Sequence, residues 1–209
     1  MHRAVWLAGL LLLGGCATGR MTEAECHVAD WRAVGFEDGS QGLGADHIGV
    51  HRRSCAEHGV TPHFEDYLDG HAQGIETFCR PANGAELGSR GTRYGGSCPE
   101  HLEPAFLDAY ELGFGLYERK TALGQISRAL STKRRRAETL EKKLAEKTAA
   151  VAEPGLSPAE RVTLAHAMKE LGEEKGALAS EIRRLEDERE DVEYDYESYR
   201  RHFLRQSFE

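Results

Sequence analysis

The strongest constraint on the fold is a pair of apolar heptad patterns in the second half of the chain. Apolar residues recur there at alternating steps of three and four, which is typical of a coiled-coil seam. The first run comprises Leu123, Ile126, Leu130, Ala137, Leu140, Leu144 and Val151. The second comprises Met168, Leu171, Leu178, Ile182, Leu185, Val192, Tyr196, Tyr199 and Phe203. Both runs predict long helices that bury one narrow stripe.

A short helix-breaking segment separates the two runs. Pro154 and Gly155 end the first helix, and Ser157 with Glu160 forms a capping box that starts the second, with Pro158 at its first position. A connection this short predicts an antiparallel hairpin within one chain. The alternative is a parallel oligomer of two long helices.

The bend also predicts a register for the hairpin. If it centres near residues 153–155, facing positions sum to about 308, because both helices rise equally per residue. This register places basic residues opposite acidic ones and returns aromatic residues to the start of the first helix. The facing groups are Lys133 to Arg136 with Glu170, Glu173 and Glu174; Arg119 and Lys120 with Glu186 to Asp191; and Tyr196, Tyr199 and Phe203 with Phe106, Tyr110 and Phe114.

The N-terminus has the pattern of a lipoprotein signal peptide. A short basic start precedes an uncharged, mostly apolar run, Ala4 to Leu13, which is shorter than the roughly 20 residues a membrane-spanning helix needs. Leu13-Gly14-Gly15-Cys16 has the form of a lipobox. We therefore expect residues 1–15 to be removed, Cys16 to be lipidated with acyl chains such as palmitate, and 16–22 to serve as a tether.

The residue after the cysteine bears on the compartment. Ala17 follows Cys16, whereas an aspartate at this place retains lipoproteins of enteric bacteria in the inner membrane. We expect a lipid-anchored protein on the periplasmic face of the outer membrane. Charge bears on other partners: residues 1–119 hold 9 basic and 17 acidic side chains, and 120–209 hold 18 of each. Without a basic excess, nucleic-acid binding is not expected.

Four cysteines remain besides Cys16: Cys26, Cys55, Cys79 and Cys98. An even number in an exported chain predicts disulfides. Three pairings are open from the count alone, and an antiparallel arrangement of the first two predicted helices favours Cys26–Cys55 and Cys79–Cys98. A metal site using His51 and Cys55, with His47 one turn earlier, is the alternative. We expect disulfides, and neither a metal nor a cofactor.

The segment 23–119 is rich in glycine and has helical periodicity. Thr22 and Glu25 form a capping box, a second helix is expected near 45–58, and Thr61-Pro62 is expected to start a third. Aromatic residues stand three or four positions before glycines, as in Trp31 and Gly35. Since glycine inside a helix costs about 1 kcal/mol against alanine, we expect close helix–helix contact, with a ligand approaching bare backbone as the alternative.

Residues 80–98 break the helical pattern and are predicted to form a loop. Arg80, Arg90, Arg93 and Tyr94 lie on it. It is interpreted as a segment closed by Cys79 and Cys98, with an anion- or glycan-contacting surface as the alternative.

Ordered motifs across residues 26–118 resemble a lipoprotein family known as domain of unknown function 2799. They are Trp31-x3-Gly35-x2-Asp38-Gly39-x2-Gly42, His51-x3-Cys55, Tyr67-x2-Gly70-x3-Gly74-x4-Cys79, Ala82-Asn83-Gly84, Gly88-x2-Gly91-x2-Tyr94-x3-Cys98-Pro99, and Leu102-Glu103 to Ala109-Tyr110-x2-Gly113. His71 and Phe78 depart from the family pattern, which commonly shows Arg and Tyr there. The resemblance implies a fold and a location, but no chemistry.

The sequence thus predicts an all-α protein: a small disulfide-stapled, glycine-rich helical module over 23–119, then a long antiparallel coiled-coil hairpin over 120–209. We expect no enzyme, since no catalytic motif is found. The expected function is that of a cell-envelope lipoprotein, structural or partner-binding through its helical arm, with an envelope protein as partner and an open oligomeric state. The alternative is a periplasmic ligand-binding or hydrolytic protein that uses the loop 80–98 with nearby histidine and acidic residues.

Overall fold

A computed structural model describes residues 20–208, which are helical and contain no strand. The predicted signal peptide and Cys16 lie outside the described residues. The helices are α1 (Glu23–Val28), α2 (Trp31–Ser40), α3 (Ile48–Ala56), α4 (Phe64–Phe78), α5 (Pro81–Ser89), α6 (Glu103–Val151) and α7 (Pro158–Phe203), with a 3₁₀ turn at Ala45–His47. The all-α class with a long C-terminal hairpin is confirmed.

The described residues form two compact units. The first contains α1 to α4 together with residues 96–99, and the second contains 80–95 and the chain from Glu100 onward. The first unit includes both disulfides, Cys26–Cys55 and Cys79–Cys98, with Cα–Cα distances of 5.5 and 5.7 Å. Both predicted pairings are confirmed.

In the first unit, side-chain hydrogen bonds cap the N-termini of α1 and α2. Thr22 and Glu25 form the predicted capping box, and the Asp30 carboxylate accepts hydrogen bonds from the backbone of α2. The disulfide Cys26–Cys55 then packs with Trp31 and Tyr67 as the buried core. This holds α3, which carries Cys55, against α1.

The third predicted helix begins at Phe64 rather than at Thr61-Pro62, with His63 at the N-cap position.

Glycines let α2 and α4 cross in direct backbone contact. A methyl group added at Gly35 or Gly39 would overlap the carbonyl oxygens of Tyr67 or His71, and one added at Gly70 or Gly74 would overlap carbonyls of α2. The interpretation of these glycines as close helix–helix contacts is confirmed. We call α2 and α4 the first glycine pair.

The predicted loop over 80–98 is wrong in its first half, because α5 occupies Pro81–Ser89. Arg80 is extended and Pro81 takes the first helical turn, a position where its missing N–H costs nothing. The glycines that suggested a loop are contact points: Gly84 and Gly88 lie against the carbonyls of Phe106 and Tyr110. Packing against α6 therefore outweighs the poor helix propensity of this segment.

The second unit repeats the packing of the first. The pattern Gly-x-Glu-x-Gly-Ser-x-Gly occurs at 35–42 in α2 and at 84–91 in α5. Each copy ends in a left-handed glycine, Gly42 (φ 76°) or Gly91 (φ 68°), which lies against an aromatic ring, that of Phe78 or Tyr117. We call α5 and the first turns of α6 the second glycine pair.

Beyond the second glycine pair, α6 and α7 form an antiparallel hairpin, which we call the arm. Ser157 and Glu160 cap α7 as predicted. The seam buries Leu130, Leu140 and Leu178. The predicted intrachain hairpin is thus confirmed.

The register of the arm differs from the prediction. The pair Arg136–Glu174 forms as expected, with 2.7 Å between Nη2 and Oε1. However, Lys133 pairs with Glu181, and Arg134 does not lie opposite Glu170, Glu173 or Glu174 but binds Glu186 at 2.5 Å. These partners lie further along α7 than predicted.

The direction of side chains explains this offset. Helical side chains lean toward the N-terminus of their helix. In an antiparallel pair, those of α6 lean away from the bend and those of α7 lean toward it, so contacting residues are displaced along α7. Arg119 shows the same offset, because it binds Asp195 at 3.0 Å rather than a residue of 186–191. Tyr199 returns to α6, where its hydroxyl donates to the carbonyl of Leu112 at 3.1 Å.

Candidate functional site

A buried polar cluster lies in the first unit, where α2, α3 and α4 meet. Asp38 of α2, His51 of α3 and His71 of α4 are each at least nine-tenths buried, and Tyr67 of α4 is fully buried. We call Asp38, His47, His51 and Tyr67 the histidine cluster; His47 ends the 3₁₀ turn before α3 and is partly exposed. Burial of this many polar groups requires hydrogen bonds between them.

The carboxylate of Asp38 is the centre of the cluster. Its Oδ2 accepts a hydrogen bond from the Tyr67 hydroxyl at 2.7 Å and lies 2.8 Å from Nε2 of His51. Since an ionised carboxylate only accepts hydrogen bonds, Nε2 of His51 carries the proton in this contact. When the His51 ring is neutral, its lone pair is therefore on Nδ1.

Two pKa shifts follow from this arrangement. Burial raises the pKa of Asp38, but hydrogen bonds from His51 and Tyr67, together with the charges of His51 and His47, outweigh burial, and the net pKa is lowered. The pKa of Tyr67 is raised well above its ordinary value, first by burial and then by its bond to Asp38. At neutral pH the cluster therefore holds one carboxylate and one neutral phenol.

Three side chains of the cluster offer metal-ligand atoms at close range. One ligand atom from each of Asp38, His47 and His51 lies within 4.8 Å of the other two. The rings of His47 and His51, one helical turn apart, have centroids 5.2 Å from each other. The metal alternative weighed from the sequence used Cys55, which is bonded to Cys26, so its thiol is not available as a ligand.

The sequence did not single out Asp38 as a partner of the histidines. Its separation from His51 gives no periodic signal, because the two residues are brought together by the turn after α2. His71, the departure from the family pattern, bonds the carbonyl of Leu43 through Nε2 at 2.7 Å. In the second glycine pair the hydroxyl of Tyr110 bonds the carbonyl of Thr92 in the same way at 3.1 Å.

The polar cluster is confined to the first glycine pair. The Gly-x-Glu-x-Gly-Ser-x-Gly repeat places Leu87 at the position of Asp38. Tyr67 and Phe106 correspond in the same way, since their carbonyls contact the equivalent glycines Gly35 and Gly84. An apolar pair thus takes the place of the hydrogen-bonded pair, so the helix packing itself does not require Asp38 and Tyr67.

These features define a class: an all-α protein with two glycine pairs, two disulfides and a two-helix arm. Residues 30–115 match the family model described as "Protein of unknown function (DUF2799)". This match confirms the resemblance, and it covers both glycine pairs but not most of the arm. No curated protein and no solved structure gave a significant match.

None of the helices within residues 20–208 is long and apolar enough to cross a membrane. The long helices α6 and α7 are rich in charged residues.

Proposed function

We propose that this protein is a lipid-anchored component of the bacterial cell envelope, held in the outer membrane by acyl chains on Cys16, and that its arm binds an envelope protein. The observation that carries the proposal is the lipobox Leu13-Gly14-Gly15-Cys16, which follows an apolar run too short to span a bilayer. Two or more acyl chains anchor a protein stably, whereas one binds marginally.

The cysteines support export. All four cysteines other than Cys16 form disulfides, Cys26–Cys55 and Cys79–Cys98. Disulfides persist in oxidising compartments such as the periplasm and are rare in the cytosol.

The arm supports a non-enzymatic, partner-binding role. A helix of 49 residues such as α6 extends about 70 Å at 1.5 Å per residue. Few seam side chains are buried, namely Leu130, Leu140 and Leu178, and the other residues of the arm are partly or fully exposed, many of them charged. Such a surface is suited to contact another protein along its length.

Fractionation tests the anchor. The wild-type chain is expected in the outer-membrane fraction, released by detergent but not by high salt, because acyl chains rather than charges hold it. Cys16→Ser is expected in the soluble periplasmic fraction or as unprocessed precursor. Recovery of wild-type protein in the soluble fraction would contradict the proposal.

Site-specific photo-crosslinking tests the partner role of the arm. A photoreactive residue at the exposed position Glu138 or Lys169 is expected to capture one envelope protein reproducibly. The same residue at Arg52, exposed on α3, serves as the matched control. Equal capture at arm and control positions would contradict binding through the arm.

A further inference from the structure

We propose that Asp38, His47 and His51 bind a divalent transition-metal ion, with Zn²⁺ the best fit. Two imidazoles and one carboxylate are one of the ligand sets of zinc sites with three protein ligands, in which the fourth position is left for water or an outside molecule. This inference is independent of the lipid anchor.

The placement of the ligand atoms supports the site. Two atoms that bind one metal ion at about 2.0–2.2 Å are no more than about 4.4 Å apart, so ligand atoms that lie within 4.8 Å of one another bind an ion once the side chains move slightly closer together. His47 and His51 lie one turn apart at the start of α3, and Asp38 is supplied by α2. Cys55, one turn after His51, is tied to Cys26, which fixes the helix that carries the ligands.

A second observation is the state of His51. Its Nδ1 is buried and has no hydrogen-bond partner within the described part of the chain. A buried polar atom without a partner is costly, and only one of the two ring nitrogens of His51 has a partner. His51 is 8 % exposed, which leaves bulk water little access to this atom. A metal ion bound at Nδ1 would satisfy this atom while Nε2 keeps its hydrogen bond to Oδ2 of Asp38, and Oδ1 of Asp38, which neither hydrogen bond uses, would serve as the carboxylate ligand.

Charge favours a cation in this place. Asp38 places a carboxylate at the centre of the cluster, and Asp46 places a second carboxylate on the 3₁₀ turn directly before His47. His71 bonds the Leu43 carbonyl, and Tyr67 bonds Asp38. Hydrogen bonds to ligand carboxylates orient them in metal sites, and Tyr67 is placed to do this for Asp38.

The second glycine pair shows that these groups are not needed for packing. Leu87 and Phe106 occupy the positions of Asp38 and Tyr67 there, around the same Gly-x-Glu-x-Gly-Ser-x-Gly pattern. Replacing a buried ionic group by apolar residues is often neutral or stabilising. Only the first glycine pair has this cluster of a carboxylate, two histidines and a phenol. The cluster therefore points to ligand binding rather than to a role in helix packing. Since His47 is partly exposed, an ion can reach the site from solvent.

Metal titration of the purified chain tests the site. All variants carry Cys16→Ser, so that no thiol outside the disulfides can bind metal, and the full chain is used after chelator treatment with both disulfides formed. Calorimetric titration with Zn²⁺ is expected to give about one ion per chain. His47→Ala and His47→Gln are expected to weaken binding at least tenfold, and Tyr67→Phe by about tenfold as an orienting residue.

His63→Ala is the matched control. His63 precedes α4 in the same unit without a side-chain capping bond, its side chain is 76 % exposed, and its removal is expected to leave Zn²⁺ affinity unchanged. Co²⁺ provides a second readout, since a four-coordinate site with histidine ligands gives visible absorption bands, expected for the wild type and for His63→Ala but lost in His47→Gln. Near-ultraviolet circular dichroism of Trp31 and Tyr67 confirms that each variant is folded. Equal affinity in the His47 variants and in His63→Ala, or no saturable binding by the parent chain, would overturn the proposal.

Discussion

The hydroxyl of Tyr67 donates a 2.7 Å hydrogen bond to Oδ2 of Asp38, and both side chains are buried. This bond joins the two helices of the first glycine pair through a charge. The second glycine pair joins its helices with Leu87 and Phe106 at these positions. The two pairs thus share one backbone arrangement but differ in what their interiors can bind.

Tyr67→Phe is expected to destabilise the protein by about 1.5–3 kcal/mol, because a hydrogen bond to a buried charged group is lost. Denaturant unfolding measures the change. Tyr110→Phe, which removes a hydroxyl bonded to a neutral backbone carbonyl, is the matched control and is expected to cost less than about 1 kcal/mol. Equal losses in the two variants would mean that the charge of Asp38 adds nothing to the Tyr67 bond.

Replacing a glycine by alanine is expected to lower the free energy of unfolding where the glycine contacts another helix and to raise it where the space around the glycine is empty. Gly39→Ala places a methyl group against the backbone of α4, so it must separate the helices and destabilise by more than about 3 kcal/mol, beyond the usual range for overpacking. Gly176→Ala lies in α7 with no atom near the added methyl group, and it is expected to stabilise by up to about 1 kcal/mol through helix propensity. Thermal unfolding distinguishes the two signs, and a stabilised Gly39→Ala would disprove direct backbone contact.

Local signals in the sequence predicted much of the fold. Capping boxes at Thr22 and Ser157 mark helix starts because a side chain there bonds the backbone three residues on. The heptad spacing predicts the arm because it places apolar side chains on one face of each helix. The helix α5 was missed because glycine-rich segments are poor helices in isolation, and its stability depends on contact with α6. The repeat at 35–42 and 84–91 was the signal that could have revealed it.

The candidate site was less accessible from sequence than the fold. His47 and His51 were recognised as one turn apart, because helical spacing is local. Asp38 lies on another helix, and its approach to His51 depends on the turn that ends at Gly42. Nothing in a linear pattern gives that distance.

A Leu130→Cys/Ile182→Cys double variant is expected to form an intramolecular disulfide, because both positions belong to the seam and the neighbouring ion pair Lys133–Glu181 joins α6 and α7 at this level of the arm. Non-reducing electrophoresis and peptide mapping detect it. Leu130→Cys/Val162→Cys is the control, since Val162 is 69 % exposed and lies near the bend. Intermolecular crosslinks alone, in a chain that sediments as a dimer, would indicate a parallel coiled coil.

The capping box at Ser157 predicts a pH dependence at the start of α7. Hydrogen bonds from the Ser157 side chain and backbone lower the pKa of Glu160. A lowered folded-state pKa means that the stabilisation is present above the ordinary carboxyl pKa and is lost as pH falls through the folded value. The protection of the amides in the first turn of α7, relative to the exchange rate of an unfolded chain at the same pH, is therefore expected to fall below about pH 4. Ser157→Ala should remove most of this dependence; Ser180→Ala, a serine within α7, should retain it. Equal pH dependence in all three chains would contradict the role of the box.

The most direct test of the account is the mass of the mature N-terminal peptide isolated from membranes. Residues 1–15 are expected to be absent, and the peptide is expected to begin at Cys16 with the added mass of a diacylglyceryl group and, after full processing, an N-acyl chain. Cys16→Ser should give no such peptide. A wild-type peptide that begins elsewhere, or that carries an unmodified Cys16, would contradict the lipid anchor.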